Sequence, residues 1–240
     1  DYIKNSIEEE LLCDKYYKKP NSEFKDYLNK IYIKPWGKEY MSYQNKNIGI
    51  WILKIDKNKQ TSVHCHFKKD TILVCLSGCF KINLYNSYKI LNTLQMIYIP
   101  KNTFHGIYSY TNNDILMEIE IYSYHVNYSD KNDLLRLRDV YVRDKDTYSL
   151  SVNELEDNNK ENMIFKEGNL YNLNKTEIRI NKFDNIESFK KINKYSLNFI
   201  LSGSLFYDGL KVSDGSLIKY NDSMSLLSEH LIVLSIFNIN

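Results

Sequence analysis

The sequence is poor in several residue types, and each shortage excludes a class of protein. Its 240 residues include no alanine, 8 glycines, 3 prolines and 4 cysteines. The cysteines form no C-x-x-C pair and are too sparse for a disulfide scaffold, which favours a reducing, cytoplasmic setting. No apolar run approaches the roughly 18–20 residues that cross a bilayer, so we expect no membrane partner.

The charge balance is almost even, which argues against a nucleic-acid partner. Lys and Arg total 32 and Asp and Glu total 30, a net charge of +2, so the sequence offers no basic stripe for phosphates. Hydrophobic residues make up 43% and charged residues 26%, as in a globular protein and unlike a disordered chain. Arginine is scarce, at 4 residues against 28 lysines, so the place of each arginine is informative.

The hydrophobic pattern predicts a mainly β protein behind a short N-terminal helical extension. Within residues 1–32, Ile3, Ile7 and Leu11 recur at helical spacing, which predicts one or two short helices. From about residue 48 onward, short runs rich in Ile, Val, Leu and Tyr are separated by turn residues, which is typical of a sandwich or barrel.

The two halves of the chain repeat one order of predicted strands. Leu76-Ser77-Gly78 and Leu201-Ser202-Gly203 each follow an apolar run and precede another strand, a turn and two further apolar runs. A polar, acidic stretch over residues 151–165 is typical of a linker or loop. We therefore predict two barrels of one type, over residues 33–150 and 151–240.

The sharpest local feature is a group of histidines in the first half. His64 and His66 alternate along a predicted strand, so both side chains point to the same face. His105 follows the turn after another predicted strand, and imidazole is the commonest protein ligand for zinc- and iron-type ions. Two interpretations stay open: a metal site, or buried histidines that bond to the backbone.

The spacing of these residues resembles that of the cupin family. The first cupin signature, H-x-H followed by an acid and a Gly, is matched by His64, His66 and Gly78, and the second signature by Pro100 and His105. The resemblance implies a double-stranded β-helix barrel, often present in pairs as a bicupin. Cupins hold a divalent metal with three His and one Glu.

The match departs from the family at the position of the Glu ligand. Thr71 stands there, with Asp70 beside it, and Asp70 faces the other way unless the strand shifts its register. A site of three histidines and water is acceptable for zinc or iron(II). The resemblance therefore implies a divalent metal on His64, His66 and His105, with zinc as first choice and iron or manganese as alternatives, while loss of the metal stays open.

A second resemblance narrows the type of cupin. Lys34-Pro-Trp36-Gly37-Lys-Glu39 resembles the K-P-W-G-x-E opening of sugar-modifying cupins. A D-x-x-R-x-x-D-x-Y-x-R segment, as found at the end of the cupin domain in bacterial mannose-6-phosphate isomerases, is matched by Asp133, Arg136, Asp139, Tyr141 and Arg143. The resemblance implies a sugar phosphate or a nucleotide sugar as the substrate.

Two kinds of side chain are candidates for catalysis of such a reaction. Glu118 and Glu120 share one strand face. If that face lines the barrel cavity, one carboxylate could abstract a proton from the carbon alpha to a carbonyl. The alternative is that the face is solvated. Arg136 and Arg143 offer a planar fork for a phosphate. The alternative is that these arginines pair with Asp133 and Asp139 and hold the segment to the barrel.

Four further side chains are candidate substrate contacts. Lys68 and Lys69 could attract a phosphate, or could be solvated loop residues, while Trp36 and Tyr141 could stack on a sugar ring. The second half lacks comparable chemistry, because Phe189 and Lys191 occupy the positions that correspond to H-x-H. We therefore expect a metal-free second barrel that serves packing, dimerisation or substrate closure, so a homodimer stays open.

These features favour a metal-dependent sugar-phosphate or nucleotide-sugar isomerase or epimerase of glycan biosynthesis. The first alternative is a non-catalytic sugar-binding or scaffolding cupin. The second alternative is a three-His Fe(II) dioxygenase.

Overall fold

The structure, a computed structural model, divides the chain into two compact units, residues 1–162 and 163–240. It describes residues 3–17, 27–28, 30–112, 114–123, 129–142, 151–154, 163, 167–168, 170–173, 176–190, 196–218 and 224–238. Within these residues, none of the helices combines the length and the apolar character needed to cross a membrane.

The first unit consists of one helix followed by β-strands. Helix α1 spans Ile7–Tyr16. The strands are β1 (Lys30–Lys34), β2 (Gly37–Gln44), β3 (Ile48–Ile55), β4 (Val63–Cys65), β5 (Lys69–Ser77), β6 (Cys79–Leu84), β7 (Tyr88–Asn92), β8 (Met96–Ile99), β9 (His105–Ser109), β10 (Asp114–Tyr122), β11 (Leu135–Arg138) and β12 (Ser151–Glu154). Strand β12 pairs with β1 and so belongs to this unit, although the sequence places residue 151 at the start of the second domain.

The strands of the first unit form two antiparallel sheets that share one core. The larger sheet has the order β12-β1-β2-β3-β10-β5-β8 and the smaller one β11-β4-β9-β6-β7. Trp51 and Leu73 of the larger sheet pack in one cluster with Phe80, Ile82 and Ile107 of the smaller sheet. The alternation of apolar residues along these strands thus buries one face of each sheet against the other, as the mainly β prediction requires.

Helix α1 confirms the predicted N-terminal helix, but it uses a different face from the predicted one. Ser6 and Glu9 form a capping box at its start, and Glu9 also accepts a hydrogen bond from the backbone N–H of Phe104 at 2.9 Å. Cys13, one turn later, is buried against the smaller sheet. The predicted apolar stripe is only partly buried: Ile3 packs against the core cluster of the barrel, whereas Ile7 and Leu11 are exposed.

The second unit is also built from antiparallel strands. Its elements are β13 (Leu170–Leu173), β14 (Thr176–Phe183), α2 (Ile186–Lys190), β15 (Leu197–Ser202), β16 (Ser204–Tyr207), β17 (Leu210–Ser213), β18 (Leu217–Ile218), β19 (Ser225–Leu226) and β20 (Leu231–Asn238). They form sheets of order β13-β14-β20-β15-β18 and β17-β16-β19.

The strand order of the second unit repeats that of the first. The order β13-β14-β20-β15-β18 matches β2-β3-β10-β5-β8, and β17-β16-β19 matches β7-β6-β9, strand for strand along the chain. Gly78 and Gly203 stand at equivalent turns with φ of +97° and +105°, and a β-carbon at either position would lie within 2.4 Å of another atom. Only glycine fits such a place without strain.

One element differs between the two units. Where the first unit has β4, the second has the short helix α2, whose Phe189 is buried in the core of that unit. Lys191, the other position that corresponds to H-x-H, lies outside the described residues. The strand that carries His64 in the first unit is therefore replaced by a helix in the second.

Candidate functional site

The structure brings His64, His66 and His105 together inside the first barrel. His64 on β4 is the direct cross-strand partner of His105 on β9, and His66 follows on the same face as His64. The ring centroids are 4.9 Å apart for His64 and His66, 4.9 Å for His64 and His105, and 5.5 Å for His66 and His105. One nitrogen from each ring lies within 4.8 Å of the others, a spacing that can hold a metal ion.

Backbone carbonyls hold the outer nitrogen of each ring. Nδ1 of His64 lies 2.9 Å from the oxygen of Ser62, Nδ1 of His66 lies 2.5 Å from that of Asp133, and Nδ1 of His105 lies 3.0 Å from that of Thr103. A carbonyl can only accept, so each Nδ1 carries the proton and donates it. The lone pair of each neutral ring is then on Nε2, the arrangement found in metal-bound histidines.

The electrostatic environment keeps all three rings neutral. Burial is the largest cause in each case: it lowers the pKa of His105 to about 4, and with neighbouring charges it lowers the pKa values of His64 and His66 well below the ordinary value. Neutral imidazole is the form that binds metals.

The donor set fits a divalent metal. Nε2 of His66 is buried and has no hydrogen-bond partner among the described residues, which is costly unless a ligand fills the place. No carboxylate joins the three imidazoles in this group within the described residues. Asp70 does not shift register toward it, because its carboxylate accepts hydrogen bonds from the hydroxyl of Tyr98 and the backbone N–H of Lys101.

Glu118 and Glu120 lie in the barrel interior beside the histidines, so the interpretation as a solvated face is wrong. Glu118 is 8% exposed and Glu120 is fully buried. Lys69 donates to Glu120, and its Nζ lies 3.6 Å from Glu118. Lys69 is itself buried, because β5 begins at this residue and turns its side chain inward with that of Thr71. The interpretation of Lys69 as a solvated loop residue is therefore also wrong.

The two carboxyl groups differ in their electrostatic state. Burial raises the pKa of Glu118, although Lys69 partly opposes this effect. Burial would also raise the pKa of Glu120, but the attraction of Lys69 and Lys131 outweighs burial and lowers that pKa. The environment thus favours the ionised form of Glu120 and shifts Glu118 toward its protonated form.

Three further residues complete this charged network, and none of them was predicted to take part in the site: Lys34, Glu39 and Lys131. Nζ of Lys131 lies 3.5 Å from the ring centroid of Trp51, 3.6 Å from Glu39 and 3.9 Å from Glu120. Nζ of Lys34 lies 3.7 Å from Glu39. Lys34 and Glu39 belong to the K-P-W-G-x-E motif, which contained the signal for them, whereas Lys131 stands in no motif.

Arg136 is held in line with two of the histidines. On the smaller sheet Arg136 of β11 pairs with His64, which pairs with His105, so the three residues form one cross-strand row. A register shift after Arg136 turns Arg138 away, toward the carbonyl of Tyr85 at 3.2 Å. Arg143 lies outside the described residues.

Asp133 orders the loop next to the site. Its carboxylate accepts the backbone N–H groups of Phe67 and Lys68 at 3.1 and 3.0 Å, while its carbonyl holds His66. The sequence pattern left open that Asp133 pairs with an arginine. The structure shows that backbone donors occupy its carboxylate, which positions the segment between β4 and β5.

These side chains line one cavity in the first barrel. It encloses about 580 Å³ of empty space, including solvent at its mouth. Its walls contain the three imidazoles and seven further residues that matter for chemistry, namely Lys34, Trp36, Glu39, Glu118, Lys131, Arg136 and Ser62. Four predicted residues do not line it: Glu120 and Lys69 lie behind Glu118, Lys68 pairs with Asp130 at 3.6 Å, and Tyr141 packs against the barrel core.

We expect Lys69→Met to lower the free energy of unfolding by about 3–5 kcal/mol, because it removes the nearest counter-ion of two buried carboxylates. Urea denaturation followed by fluorescence of Trp36 and Trp51, both buried in this unit, measures the change. The control is Lys81→Met, whose ammonium lies over the ring of Tyr88 and should cost about 1 kcal/mol or less. Adding Glu120→Gln to Lys69→Met should recover part of the loss; equal losses for the two lysine variants would contradict the buried ion pair.

Comparison with known proteins agrees with this architecture. Residues 21–139 match the family described as mannose-6-phosphate isomerase C-terminal. Among curated proteins, no sequence matches the chain significantly.

Three solved structures illustrate the similarity to known proteins, each over part of this chain. KdgF from Halomonas sp. has 16% identity and a TM-score of 0.37, over 41% of this chain and 84% of that one. An RmlC-like cupin from Desulfovibrio desulfuricans has 15% identity and a TM-score of 0.33, over 35% and 79% of the two chains. CapF, a capsular polysaccharide assembling protein from Staphylococcus aureus, has 14% identity and a TM-score of 0.38, over 45% and 33%.

The two-sheet barrel, the histidines and the family match over residues 21–139 lead to one assignment. Over residues 21–139 the chain is similar to the mannose-6-phosphate isomerase C-terminal family, and the fold of the first unit is that of a cupin barrel.

Proposed function

We propose that the first unit is a metal-dependent isomerase or epimerase that acts on a sugar phosphate or a nucleotide sugar in glycan biosynthesis. The observation that carries this proposal is the meeting of three neutral imidazoles with a protonatable carboxyl group, Glu118, in one cavity. The family match over residues 21–139 supports sugar chemistry of this class.

In this proposal His64, His66 and His105 hold a divalent cation, zinc in the first place and iron or manganese as alternatives. The bound cation would act as a Lewis acid on a substrate carbonyl. The backbone carbonyls behind the rings keep the three Nε2 atoms directed at one place. The side chains therefore need little rearrangement when the ion binds.

Glu118 is the proposed proton carrier. It lines the cavity, whereas Glu120 lies behind it as the partner of Lys69. As a carboxylate, Glu118 would take the proton from the carbon alpha to the carbonyl, and as a carboxylic acid it would return the proton to the neighbouring carbon. Its raised pKa suits both halves of this exchange.

Arg136 is the proposed anchor for a phosphate. Its guanidinium offers a planar fork for two oxygens, and it lies in the same row as His64 and His105. Lys34 and Lys131 in the cavity wall add positive charge around this place. Trp36, in the same wall, offers a flat ring against which a sugar can stack.

The metal site is tested by equilibrium dialysis against zinc followed by elemental analysis. We expect about one equivalent in the wild-type protein and strong loss of binding in His66→Ala, because three nitrogen ligands become two. His230→Ala is the control, since His230 lies in the second unit. Equal zinc contents in the wild type and His66→Ala would rule out this site.

The role of Glu118 is tested by aldose–ketose exchange of a sugar phosphate in deuterated water. The wild type should incorporate deuterium at the exchanged carbon, and Glu118→Gln should lower kcat by about a hundredfold or more with little change in KM. Glu10→Gln, on the exposed side of α1, is the control. Unchanged deuterium incorporation in Glu118→Gln would assign the proton transfer elsewhere.

The phosphate anchor is tested by the matched pair Arg136→Lys and Arg138→Lys. Loss of a two-point contact with a charged group should raise KM for the sugar phosphate about tenfold or more in Arg136→Lys. Arg138 points out of the cavity, so its variant should behave as the wild type. An equal effect of both substitutions would contradict the proposed anchor.

The second candidate function is a non-catalytic sugar-binding cupin, and Thr71 is the observation that favours it. Thr71 stands at the position where the resemblance to cupins implies a Glu ligand. Its cross-strand partner is Glu120. Sugar binding without metal or exchange would support this candidate. Bound iron with oxygen uptake would instead support a three-His dioxygenase.

We also propose that the second unit is a degenerate cupin barrel, which makes the chain a bicupin. Its strand order supports this proposal, and α2 in place of β4 supports a barrel without a metal site. Such a barrel would serve packing, closure over the substrate or formation of a homodimer.

A further inference from the structure

Two thiols from distant parts of the chain meet on the outer side of the strand that carries His64. Cys13 on helix α1 and Cys65 on β4 are both buried, at 2% and 0% exposure. Their Sγ atoms lie 3.4 Å apart, although the residues are 52 positions apart in sequence. Their surroundings are apolar and include Leu12, Val63 and Phe104.

The pair lies directly behind the candidate metal centre. Cys65 stands between His64 and His66 and, by strand alternation, points to the opposite face of β4. The Sγ of Cys13 also lies 3.5 Å from the carbonyl oxygen of Asn102, in the turn that leads to His105. A covalent link at this place would tie α1 to the strand that carries a histidine ligand.

The helix has the freedom that such a link requires. A disulfide needs the sulfurs at about 2.05 Å, so the thiols must approach by a little over 1 Å from their present contact. Helix α1 has ten residues and is held to the barrel by polar contacts at one end, such as Glu9 to the N–H of Phe104 and Asn5 to the carbonyl of Lys101. A helix this short, with those contacts at its first turn, can shift or open locally at low cost, which also admits a small oxidant.

We propose that Cys13 and Cys65 form a reversible disulfide with hydrogen peroxide as oxidant, and that this bond locks α1 onto the strand of the candidate metal site. The sulfur of one thiolate attacks a peroxide oxygen, the O–O bond breaks, and a sulfenic acid and one water result. The second sulfur attacks the sulfenic sulfur, the S–S bond forms, and the hydroxyl leaves as water. Two thiols and one peroxide thus give one disulfide and two waters.

The remaining cysteines provide internal controls. Cys75 is buried on β5, where its thiol donates to the carbonyl of Gly78 at 3.4 Å. Cys79 is partly exposed at the start of β6. If exposure alone governed oxidation, Cys79 would react first; if proximity of a second thiol governs it, Cys13 and Cys65 react together.

The test uses the full chain treated with hydrogen peroxide, alkylated without reductant, digested and analysed by mass spectrometry. We expect one linked peptide pair that joins Cys13 to Cys65, present in the wild type and in Cys79→Ser and abolished by dithiothreitol. Cys13→Ser should lose the linked pair and leave Cys65 open to alkylation. Free, alkylated Cys13 and Cys65 in the peroxide-treated wild type would overturn the proposal.

A second measurement reports on the helix itself and does not depend on any variant that folds poorly. In oxidised wild type, amide hydrogen exchange of α1 should be at least about tenfold slower than in the reduced protein, because the link suppresses local opening. Exchange in the β6–β7 hairpin, which contains Cys79, should not change. Equal exchange of α1 in the oxidised and reduced protein would show that the bond does not lock the helix.

Discussion

The candidate site depends on one constraint: each imidazole must present the same nitrogen to a common place. Backbone carbonyls impose it, because the oxygens of Ser62, Asp133 and Thr103 each take the Nδ1 proton of one ring. These carbonyls come from three separate loops, so the orientation of the rings depends on the fold of the whole barrel and not on β4 alone. The apolar alternation of the strands is therefore linked to the chemistry through the backbone that it positions.

The candidate site also requires charged side chains inside the barrel, and the barrel tolerates them because each buried ammonium group lies beside buried carboxylates. Lys69 is tolerated inside the barrel because Glu118 and Glu120 face it from β10, and Lys131 because Glu39, Glu120 and the ring of Trp51 surround it. The same pairing separates the two carboxyl groups in their electrostatic state. Lys69 and Lys131 lower the pKa of Glu120, whereas burial raises the pKa of Glu118 at the cavity wall.

Much of this could be predicted from sequence where the signal is local. The spacing of His64, His66 and His105 identified the cluster, and short apolar runs identified the strands. Lys69 could not be placed, because Lys-Lys-Asp has the composition of a solvated loop and the partner that compensates its burial lies 51 residues away in β10. The exposure of Ile7 and Leu11 on α1 could not be predicted for a related reason: Glu9 bonds both within its own helix cap and to the N–H of Phe104, a contact that no periodicity reveals.

The comparison of the two units shows which part of the barrel carries the chemistry. Both contain the framework of β2, β3, β10, β5 and β8 against β9, β6 and β7 or their equivalents. Within the described residues, the smaller sheet of the first unit has two strands with no counterpart in the second, β4 and β11. Those strands bring His64 and Arg136 to the row that ends at His105. The candidate site therefore combines residues of the shared framework, such as His105 and Glu118, with two strands added at one edge of the smaller sheet.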